Sequence, residues 1–301
     1  MDYPAKIILF GEYGIILNSK ALAIPYPKFS GKFCMPENSG NKLSKKTDES
    51  NVALADLNNY FKSNRGKFKF LDLIKFAEDI RKGLYFDSTI PLGSGLGSSG
   101  ALTAAVYDRY RIESQSDDLY LIKTKLAAIE SSFHGVSSGT DPFICWIKKP
   151  LLLENKSEFK TAIDLSPFFN MYTVFLINSH AVGNTGALVT LFMDQYQQPE
   201  FKEKIDQEYL PVINQTIDAV IAADFSTFER SLIDYSQFQL NHFTQMIAPD
   251  MINHFKLGNE SGDFCLKICG SGGGGFILGF SRYPEKAKAY FNLNHLDYTI
   301  V

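Results

Sequence analysis

The chain has 301 residues, of which 45% are apolar and 21% charged, and its formal net charge is −3. This composition is typical of a globular protein with one large or two medium domains and a core that needs no disulfides. The near-neutral charge argues against a nucleic-acid-binding protein, which needs a basic stripe. Since there is neither a run of about 18 apolar residues nor a signal-peptide pattern, we expect a cytoplasmic protein that does not bind membranes.

The cysteines and histidines show no metal-binding pattern. The sequence contains no Cys-x-x-Cys pair and no His-x3-His pair, so a catalytic metal held by histidines is not expected. We predict that the four cysteines are reduced and partly buried, as small apolar side chains in a reducing compartment. They are Cys34, Cys145, Cys265 and Cys269.

The first half of the chain predicts strands and helices on both sides of a glycine-rich loop. In chain order we expect a strand at 5–10, a surface loop at 36–50, helices at 52–62 and 71–82, a strand at 84–90, a helix at 101–110, and a hairpin formed by 143–146 and 151–153. The clearest helix covers 119–133, where apolar residues recur every three or four positions. Asp117 and Asp118 suit its N-terminus, and Gly135 suits its end.

A second domain is predicted for residues 166–301, after a first domain at 1–165. Its expected elements are a strand at 172–177, long helical segments at 202–222 and 225–246, strands at 264–268 and 276–280, a helix at 284–291 and a last strand at 298–301. Strands and helices mixed in this way indicate an α+β fold in two lobes.

The first glycine loop, residues 91–100, reads Pro-Leu-Gly-Ser-Gly-Leu-Gly-Ser-Ser-Gly. Its glycines let backbone N–H groups converge, and the helix that follows adds its positive end, so the loop suits an anion such as phosphate. A turn with a serine cap is the alternative. The loop also fits the dinucleotide pattern Gly-x-Gly-x-x-Gly, but no second parallel strand follows. A P-loop is excluded because the required lysine is missing.

The second glycine loop, residues 270–275, reads Gly-Ser-Gly-Gly-Gly-Gly between two predicted strands. Four consecutive glycines remove all side chains, so the backbone can approach a ligand closely. A flexible hairpin is the alternative, but ordering so much glycine costs conformational entropy. We therefore expect this loop to line a site.

Two carboxylates and one lysine are candidates for phosphate chemistry. Glu130 borders the apolar face of its helix, and Asp141 ends a Gly/Ser loop eleven residues later. Such a pair can divide the work, one carboxylate binding Mg²⁺ and the other facing the attacking hydroxyl. Lys6 lies in an apolar strand and can offset phosphate charge. A solvated Glu, a capping Asp and a snorkelling Lys are the alternatives.

The segment around Ser137 fits the serine-hydrolase pattern Gly-x-Ser-x-Gly. That nucleophile elbow needs a strand before the serine and a helix after it. Here a helix precedes Ser137 and a strand is predicted to follow, so we do not expect a hydrolase nucleophile.

Three segments together resemble the GHMP small-molecule kinases. Residues 4–13 (Pro-Ala-Lys-Ile-Ile-Leu-Phe-Gly-Glu-Tyr), 91–100 and 267–275 (Lys-Ile-Cys-Gly-Ser-Gly-Gly-Gly-Gly) occur in the order and spacing of that family. The likeness covers the chain from residue 4 to about residue 280. It implies a two-lobed fold, with an N-terminal lobe like ribosomal protein S5 domain 2 and a ferredoxin-like C-terminal lobe. It also implies transfer of phosphate from ATP, with Mg²⁺, to a small-molecule alcohol.

The pattern Glu130, His134-Gly135, Ser138-Gly139 and Asp141 is most similar to the mevalonate kinases of this family. The resemblance assigns Asp141 as the catalytic base, Lys6 to the reacting groups, and Ser99 and Glu130 to Mg²⁺. By the same resemblance, ATP lies on Pro91, Gly93, Gly95, Leu96, Gly97, Ser98, Ser99 and Gly100. The substrate and its phosphate face Glu12, His134, Thr185, Gly270, Ser271, Gly272 and Gly273.

Several residues depart from the mevalonate kinase pattern. Tyr13 replaces a histidine, Gly100 an alanine, Ser137 a proline, and Lys148-Lys149 a Gly-Gly pair. The first two are more like phosphomevalonate kinases. Mevalonate is therefore the leading acceptor, and phosphomevalonate or another GHMP kinase substrate is the alternative. A non-catalytic nucleotide-binding regulator and an NAD-dependent oxidoreductase are readings of a different class. We expect a monomer or homodimer without nucleic-acid partners.

Overall fold

A computed structural model describes residues 1–36, 45–112, 118–181 and 183–301, with side chains except those of 45–49 and 134. The chain divides into two compact units. The first unit consists of residues 1–6, 25–91 and 97–148, and the second of residues 7–24, 92–96 and 149–301. The domain limits expected from the sequence, 1–165 and 166–301, stay a prediction.

The described strands form two sheets. The first sheet has the order β1-β2-β4-β5, with β3 also paired to β2, and the second has the order β7-β8-β6-β9. In the first sheet, the pairs β2–β3, β2–β4 and β4–β5 are antiparallel. All three strand pairs of the second sheet are antiparallel. The strands are β1 (Tyr3–Phe10), β2 (Ala21–Cys34), β3 (Tyr85–Ser88), β4 (Leu151–Leu153), β5 (Phe159–Lys160), β6 (Thr173–Asn178), β7 (Cys265–Ile268), β8 (Phe276–Ser281) and β9 (Tyr298–Ile300).

Twelve α-helices are described. They are α1 (Lys45–Ser63), α2 (Leu73–Arg81), α3 (Ser98–Tyr110), α4 (Leu119–His134), α5 (Thr140–Ile147), α6 (Ser166–Met171), α7 (Thr185–Tyr196), α8 (Pro199–Lys204), α9 (Leu210–Ile221), α10 (Phe225–His242), α11 (Ile252–Ser261) and α12 (Pro284–Leu293). A π-helical turn, Ile205–Tyr209, connects α8 to α9. Within the described ranges, no helix is both long and apolar enough to cross a membrane. The predicted α+β architecture is confirmed.

Residues 143–146 form part of helix α5, so the hairpin strand predicted there is wrong. Gly139, in the left-handed conformation, is the N-cap of this helix. Asp141 then occupies the first turn, where a negative charge is favourable, and Pro142 fits there because that turn needs no N–H donor. A four-residue apolar run is too short to distinguish a strand from a buried helix, and the capping residues decide.

The structure also bears on the predicted loop at 36–50 and on the predicted caps of α4. Residues 45–50 of the predicted loop belong to α1, whereas residues 37–44 lie outside the described part. Asp118 is the N-cap of α4, and its carboxylate accepts a hydrogen bond from the N–H of Tyr120. Gly135 is the C-cap. Asp117 is also outside the described part.

In the first unit, α3 packs against both α4 and α5. Helix α3 is buried on nearly all sides, since every residue from 100 to 107 is buried, as is Tyr110. One of its side chains, Thr103, is fully buried and has a hydroxyl without a hydrogen-bond partner. These three helices fix the positions of the residues that begin α3 and α5 and end α4.

In the second unit, the sheet β7-β8-β6-β9 carries the second glycine loop. Strands β7 and β8 pair through Cys265↔Phe280 and Ile268↔Ile277. The loop of residues 269–275 joins them, and its neighbours are buried apolar residues such as Ile268 and Phe276. All four cysteines are free, and three of them are buried.

Candidate active site

Lys6 and Asp141 form an ion pair in the first unit. The Nζ atom of Lys6 lies 3.0 Å from Oδ2 of Asp141, and the side chains are 5% and 33% exposed. Lys6 is held in β1 between Ala5 and Ile7, both fully buried, so its stem has little freedom. The sequence predicted both residues for one site, and the structure brings them together.

The N-terminus of α3 lies against this lysine. Its N-cap is Gly97, with φ +79°, a backbone conformation that favours glycine. A Cβ atom on Gly97 would lie 2.8 Å from Cγ of Lys6. The first helical residues, Ser98 and Ser99, are half-buried and contribute hydroxyl groups beside N–H groups that begin the helix. This is a geometry that can bind an anion.

The beginnings of α3 and α5 approach each other closely at Gly100. A Cβ atom on Gly100 would lie 3.0 Å from both the carbonyl carbon of Asp141 and the nitrogen of Pro142. Glycine is therefore the residue that allows the two helix N-termini to meet without displacing Asp141. The positive ends of two helix dipoles converge beside its carboxylate.

Glu130, near the end of α4, is the second carboxylate of this cluster. Its side chain is buried, and burial, together with the nearby charge of Asp141, raises the pKa of Glu130 to about 7. Hydrogen bonds from Ser137 and Ser99 and the charge of Lys6 oppose this rise. Two acidic groups share the charge of one lysine here, an arrangement that favours a further cation.

Ser137 supports Glu130, a role that its hydrolase-like sequence pattern did not predict. The Ser137 hydroxyl donates a hydrogen bond to Oε2 of Glu130 and accepts one from the N–H of Gly139, at 2.9 Å. The loop is tied to α4 by Lys123, whose ammonium group donates to the carbonyl of Ser138 at 2.8 Å. Helices lie on both sides of Ser137, so the strand expected after it is wrong. The absence of a preceding strand still argues against a nucleophile elbow.

In the second unit, the two glycine loops contact each other. A Cβ atom on Gly270 would lie 3.6 Å from Cα of Gly95, and a Cβ on Gly275 would lie 2.9 Å from the carbonyl oxygen of Ser94. Leu96 is fully buried and anchors this end of the first loop, whereas Pro91 and Gly93 are exposed. The sequence identified these loops separately.

Thr185 and Ser271 also come together in this unit. Thr185 begins α7, and the hydroxyl of Ser271 donates to the hydroxyl of Thr185 at 3.0 Å. Gly272 is buried and Gly273 half-buried in the same loop. His134 ends α4, but its side chain lies outside the described part of the chain.

Glu12 is completely buried and forms an ion pair with Lys267 of β7. The hydroxyl of Tyr235 donates to Oε2 of Glu12 at 2.7 Å, and that of Tyr209 donates to the Glu12 backbone carbonyl at 3.1 Å. Burial raises the pKa of Glu12, and Lys267 opposes the rise. Lys267 and Tyr235 therefore bind the Glu12 carboxylate within the core. Lys267 was missed, although a lysine within Cys-Leu-Lys-Ile-Cys was a signal for a buried charge.

Comparison with known proteins identifies related kinases. Residues 59–149 match the family described as GHMP kinases N terminal domain. Mevalonate kinase from Pyrococcus abyssi is 25% identical over 316 residues, which cover 95% of this chain and 89% of that protein. The chain is therefore similar to the GHMP kinase N-terminal domain over residues 59–149 and to mevalonate kinases along most of its length. Its activity is that of a small-molecule kinase.

Solved structures of two small-molecule kinases share the fold. The L. major mevalonate kinase in complex with R-mevalonate is similar with a TM-score of 0.65 and 16% identity, covering 96% of this chain and 90% of that chain. The Streptococcus pneumoniae phosphomevalonate kinase in complex with phosphomevalonate and AMPPNP has a TM-score of 0.65 and 14% identity, covering 100% and 99%. For a GHMP kinase, ATP is the expected phosphoryl donor.

Proposed function

We propose that this kinase transfers the γ-phosphoryl group of ATP to the hydroxyl group of mevalonate, giving 5-phosphomevalonate for isoprenoid biosynthesis. The observation that carries the proposal is the Lys6–Asp141 pair at the start of α3. The acceptor follows from similarity along 95% of the chain to a protein named mevalonate kinase.

In this proposal Asp141 is the catalytic base. As the acceptor oxygen forms its bond to the γ-phosphorus, the proton of the hydroxyl passes to the Asp141 carboxylate. The bond between the γ-phosphorus and the bridging oxygen breaks, and its electron pair leaves with ADP. The 33% exposure of the Asp141 side chain is consistent with access to an acceptor.

Lys6 and the N-terminus of α3 stabilise charge on the phosphates. The Lys6 ammonium group is nearly buried, so its attraction for a phosphoryl oxygen is stronger than it would be in water. The N–H groups that begin α3 bind the phosphate oxygens, with Ser98 beside them. Gly97 lets the loop pass over the Lys6 stem, which keeps the ammonium group and the helix end adjacent.

Glu130 and Ser99 suit Mg²⁺. Both supply oxygen ligands, and the raised pKa of Glu130 shows that burial and the charge of Asp141 make its ionised form costly, a cost that a divalent cation would relieve. No group of three or more His, Cys, Asp or Glu in the described residues could hold a metal ion. Mg²⁺ commonly takes one or two protein carboxylates and completes its ligands with nucleotide phosphates and water. When bound, the ion would neutralise phosphate charge.

Phosphomevalonate is the second candidate acceptor. Two residues favour it, Tyr13 after the Gly-Glu pair and Gly100 after the two serines, since both resemble the phosphomevalonate kinase pattern. The mevalonate kinase relatives favour mevalonate. A direct assay separates the candidates.

A coupled ADP-release assay with Mg·ATP and mevalonate, phosphomevalonate, homoserine or galactose tests the proposal. We expect turnover with mevalonate. Turnover only with phosphomevalonate would assign the second candidate. If calorimetry detects binding of Mg·AMPPNP but no acceptor yields ADP, the protein is a nucleotide-binding regulator and the proposed reaction is wrong.

A further inference from the structure

Tyr13 occupies an unusual backbone conformation in the second unit. Its φ and ψ angles are +60° and −40°, a region that residues other than glycine rarely adopt. The side chain is only 4% exposed. Its ring packs on Phe192, with centroids 4.6 Å apart, and on Phe243, at 5.4 Å. Strained residues of this kind persist where the surrounding packing fixes them, and they cluster at functional sites.

The buried ring directs one hydrogen bond onto the second glycine loop. The Tyr13 hydroxyl donates to the backbone carbonyl of Ser271 at 2.6 Å. Burial, with the charge of Glu12, raises the pKa of the Tyr13 phenol far above its usual range, so the hydroxyl stays a donor. Because Ser271 lies between Gly270 and Gly272, both with positive φ, its neighbours alone give the backbone little conformational restraint.

Tyr13 contacts both elements that carry the Ser271–Thr185 hydroxyl pair. Its hydroxyl holds the loop through Ser271, and its ring packs on Phe192 of α7, seven residues after Thr185 and therefore on the same side of that helix. The hydroxyl of Ser271 donates to that of Thr185, whose own proton can be directed to a further acceptor. Thr185 is exposed.

We propose that Tyr13 is a positioning residue for the acceptor substrate, because its hydroxyl fixes Ser271 and thereby orients the Ser271–Thr185 hydroxyl pair toward an oxygen-bearing group of the acceptor. The part that concerns the acceptor rests on the proposed function. The part that concerns the loop rests only on contacts within the second unit. In this proposal Tyr13 acts through Ser271 and not by direct contact with the acceptor, because its side chain is buried and its hydroxyl donates to the Ser271 carbonyl.

The variant Tyr13→Phe tests this, since it removes one oxygen and keeps the ring between Phe192 and Phe243. With the acceptor that the wild type uses, we expect KM for the acceptor to rise about three- to tenfold, the range for one lost hydrogen bond, with kcat and KM for ATP nearly unchanged. In hydrogen exchange without ligands, we expect residues 270–275 to exchange faster than in the wild type.

Tyr172→Phe is the matched control. Tyr172 lies in the same unit, is also 4% exposed, and donates one hydrogen bond from its hydroxyl to Glu229 at 3.0 Å. The Tyr172→Phe variant should leave KM for the acceptor and hydrogen exchange in residues 270–275 unchanged. Unchanged loop exchange in Tyr13→Phe, or an acceptor KM equal to that of the wild type, would overturn the proposal. If the wild type phosphorylates no acceptor, the proposed function fails and loop exchange alone decides the role of Tyr13.

Discussion

Glu12 and Lys267 form an ion pair in which neither side chain has any exposure to solvent. Removing one partner leaves the other charge buried without its counterion. We expect Lys267→Met to lower the free energy of unfolding by about 3–5 kcal/mol. The double variant Glu12→Gln/Lys267→Met should lose less than the sum of the single variants, because it leaves no lone charge. Urea unfolding measures these differences.

Lys286→Met is the control for that prediction. The ammonium group of Lys286 pairs with Asp263 at 2.9 Å, but its side chain is 63% exposed. Exposed pairs contribute little to stability, so the urea midpoint should stay close to that of the wild type. Equal losses in Lys267→Met and Lys286→Met would contradict the importance of burial.

Asp141→Asn removes the proposed base and keeps the size of the side chain. We expect kcat to fall by about 10²- to 10⁴-fold, with the circular dichroism spectrum unchanged. The exposed Asp87 of β3 provides a comparison, since Asp87→Asn should leave kcat as in the wild type. Full activity in Asp141→Asn would remove Asp141 from the mechanism.

Glu130 predicts a pH dependence for magnesium binding. Its pKa is raised to about 7, so the carboxylate is mostly protonated below pH 7, and a metal ion competes with the proton. Calorimetric titration with Mg²⁺ and AMPPNP should show affinity rising about tenfold between pH 6 and pH 8. Glu130→Gln should bind more weakly and show a smaller pH dependence, and the same slope in both proteins would exclude Glu130 as the cause.

Glu130 also makes the folding stability of the magnesium-free protein depend on pH. Here the effect has the opposite direction, because stability falls as the pH rises. Because the folded state holds the Glu130 proton up to about pH 7 whereas the ordinary value is 4.5, the folded state binds more protons in this window. The contribution of Glu130 is therefore fully present below pH 4.5 and is lost as the pH rises through about 7. Urea unfolding across this range should show a smaller pH-dependent decrease in Glu130→Gln.

Ser137→Ala tests how the serine supports Glu130. The Ser137 hydroxyl bond lowers the pKa of Glu130, so its loss should move the magnesium-binding transition to higher pH. Ser137→Thr keeps a hydroxyl and should remain near the wild-type transition. A transition in Ser137→Ala that coincides with that of the wild type would mean that the hydrogen bond has no influence on metal binding.

Gly97→Ala should reduce both stability and activity. The left-handed backbone costs alanine about 1–2 kcal/mol, and the added methyl group would press on the Lys6 stem. Gly66 is the matched position, because a Cβ atom there has no atom within 4 Å. Gly66→Ala should show nearly wild-type unfolding and kcat; if both variants behave alike, the contact with Lys6 is unimportant.

The sequence predicted much of the fold because its signals were local. Helix α4 was visible in its apolar spacing and in its caps, Asp118 and Gly135. The apolar run in α5 was misread because four residues fit either a strand or a helix, and the left-handed Gly139 that starts the helix was not recognised.

Residues of the candidate site could be predicted only where they belong to a recognisable sequence motif. Lys6 and Asp141 were predicted together from the family resemblance, and they meet. The pairing of Glu12 with Lys267 joins residues 255 positions apart, so no local pattern contains it. The hydrogen bond from Ser137 to Glu130 depends on the path of the loop after α4, which spacing alone does not determine.

If the proposed function is correct, the meeting of α3 and α5 at Gly100 also has a consequence for the reaction products. The attraction that two helix beginnings exert comes from peptide groups, which neither gain nor lose protons and cannot be screened by a side-chain rearrangement. It acts on any phosphate chain, before the transfer and afterwards. Under the proposed function, we therefore expect these peptide groups to hold the diphosphate product as well as ATP, which slows product release.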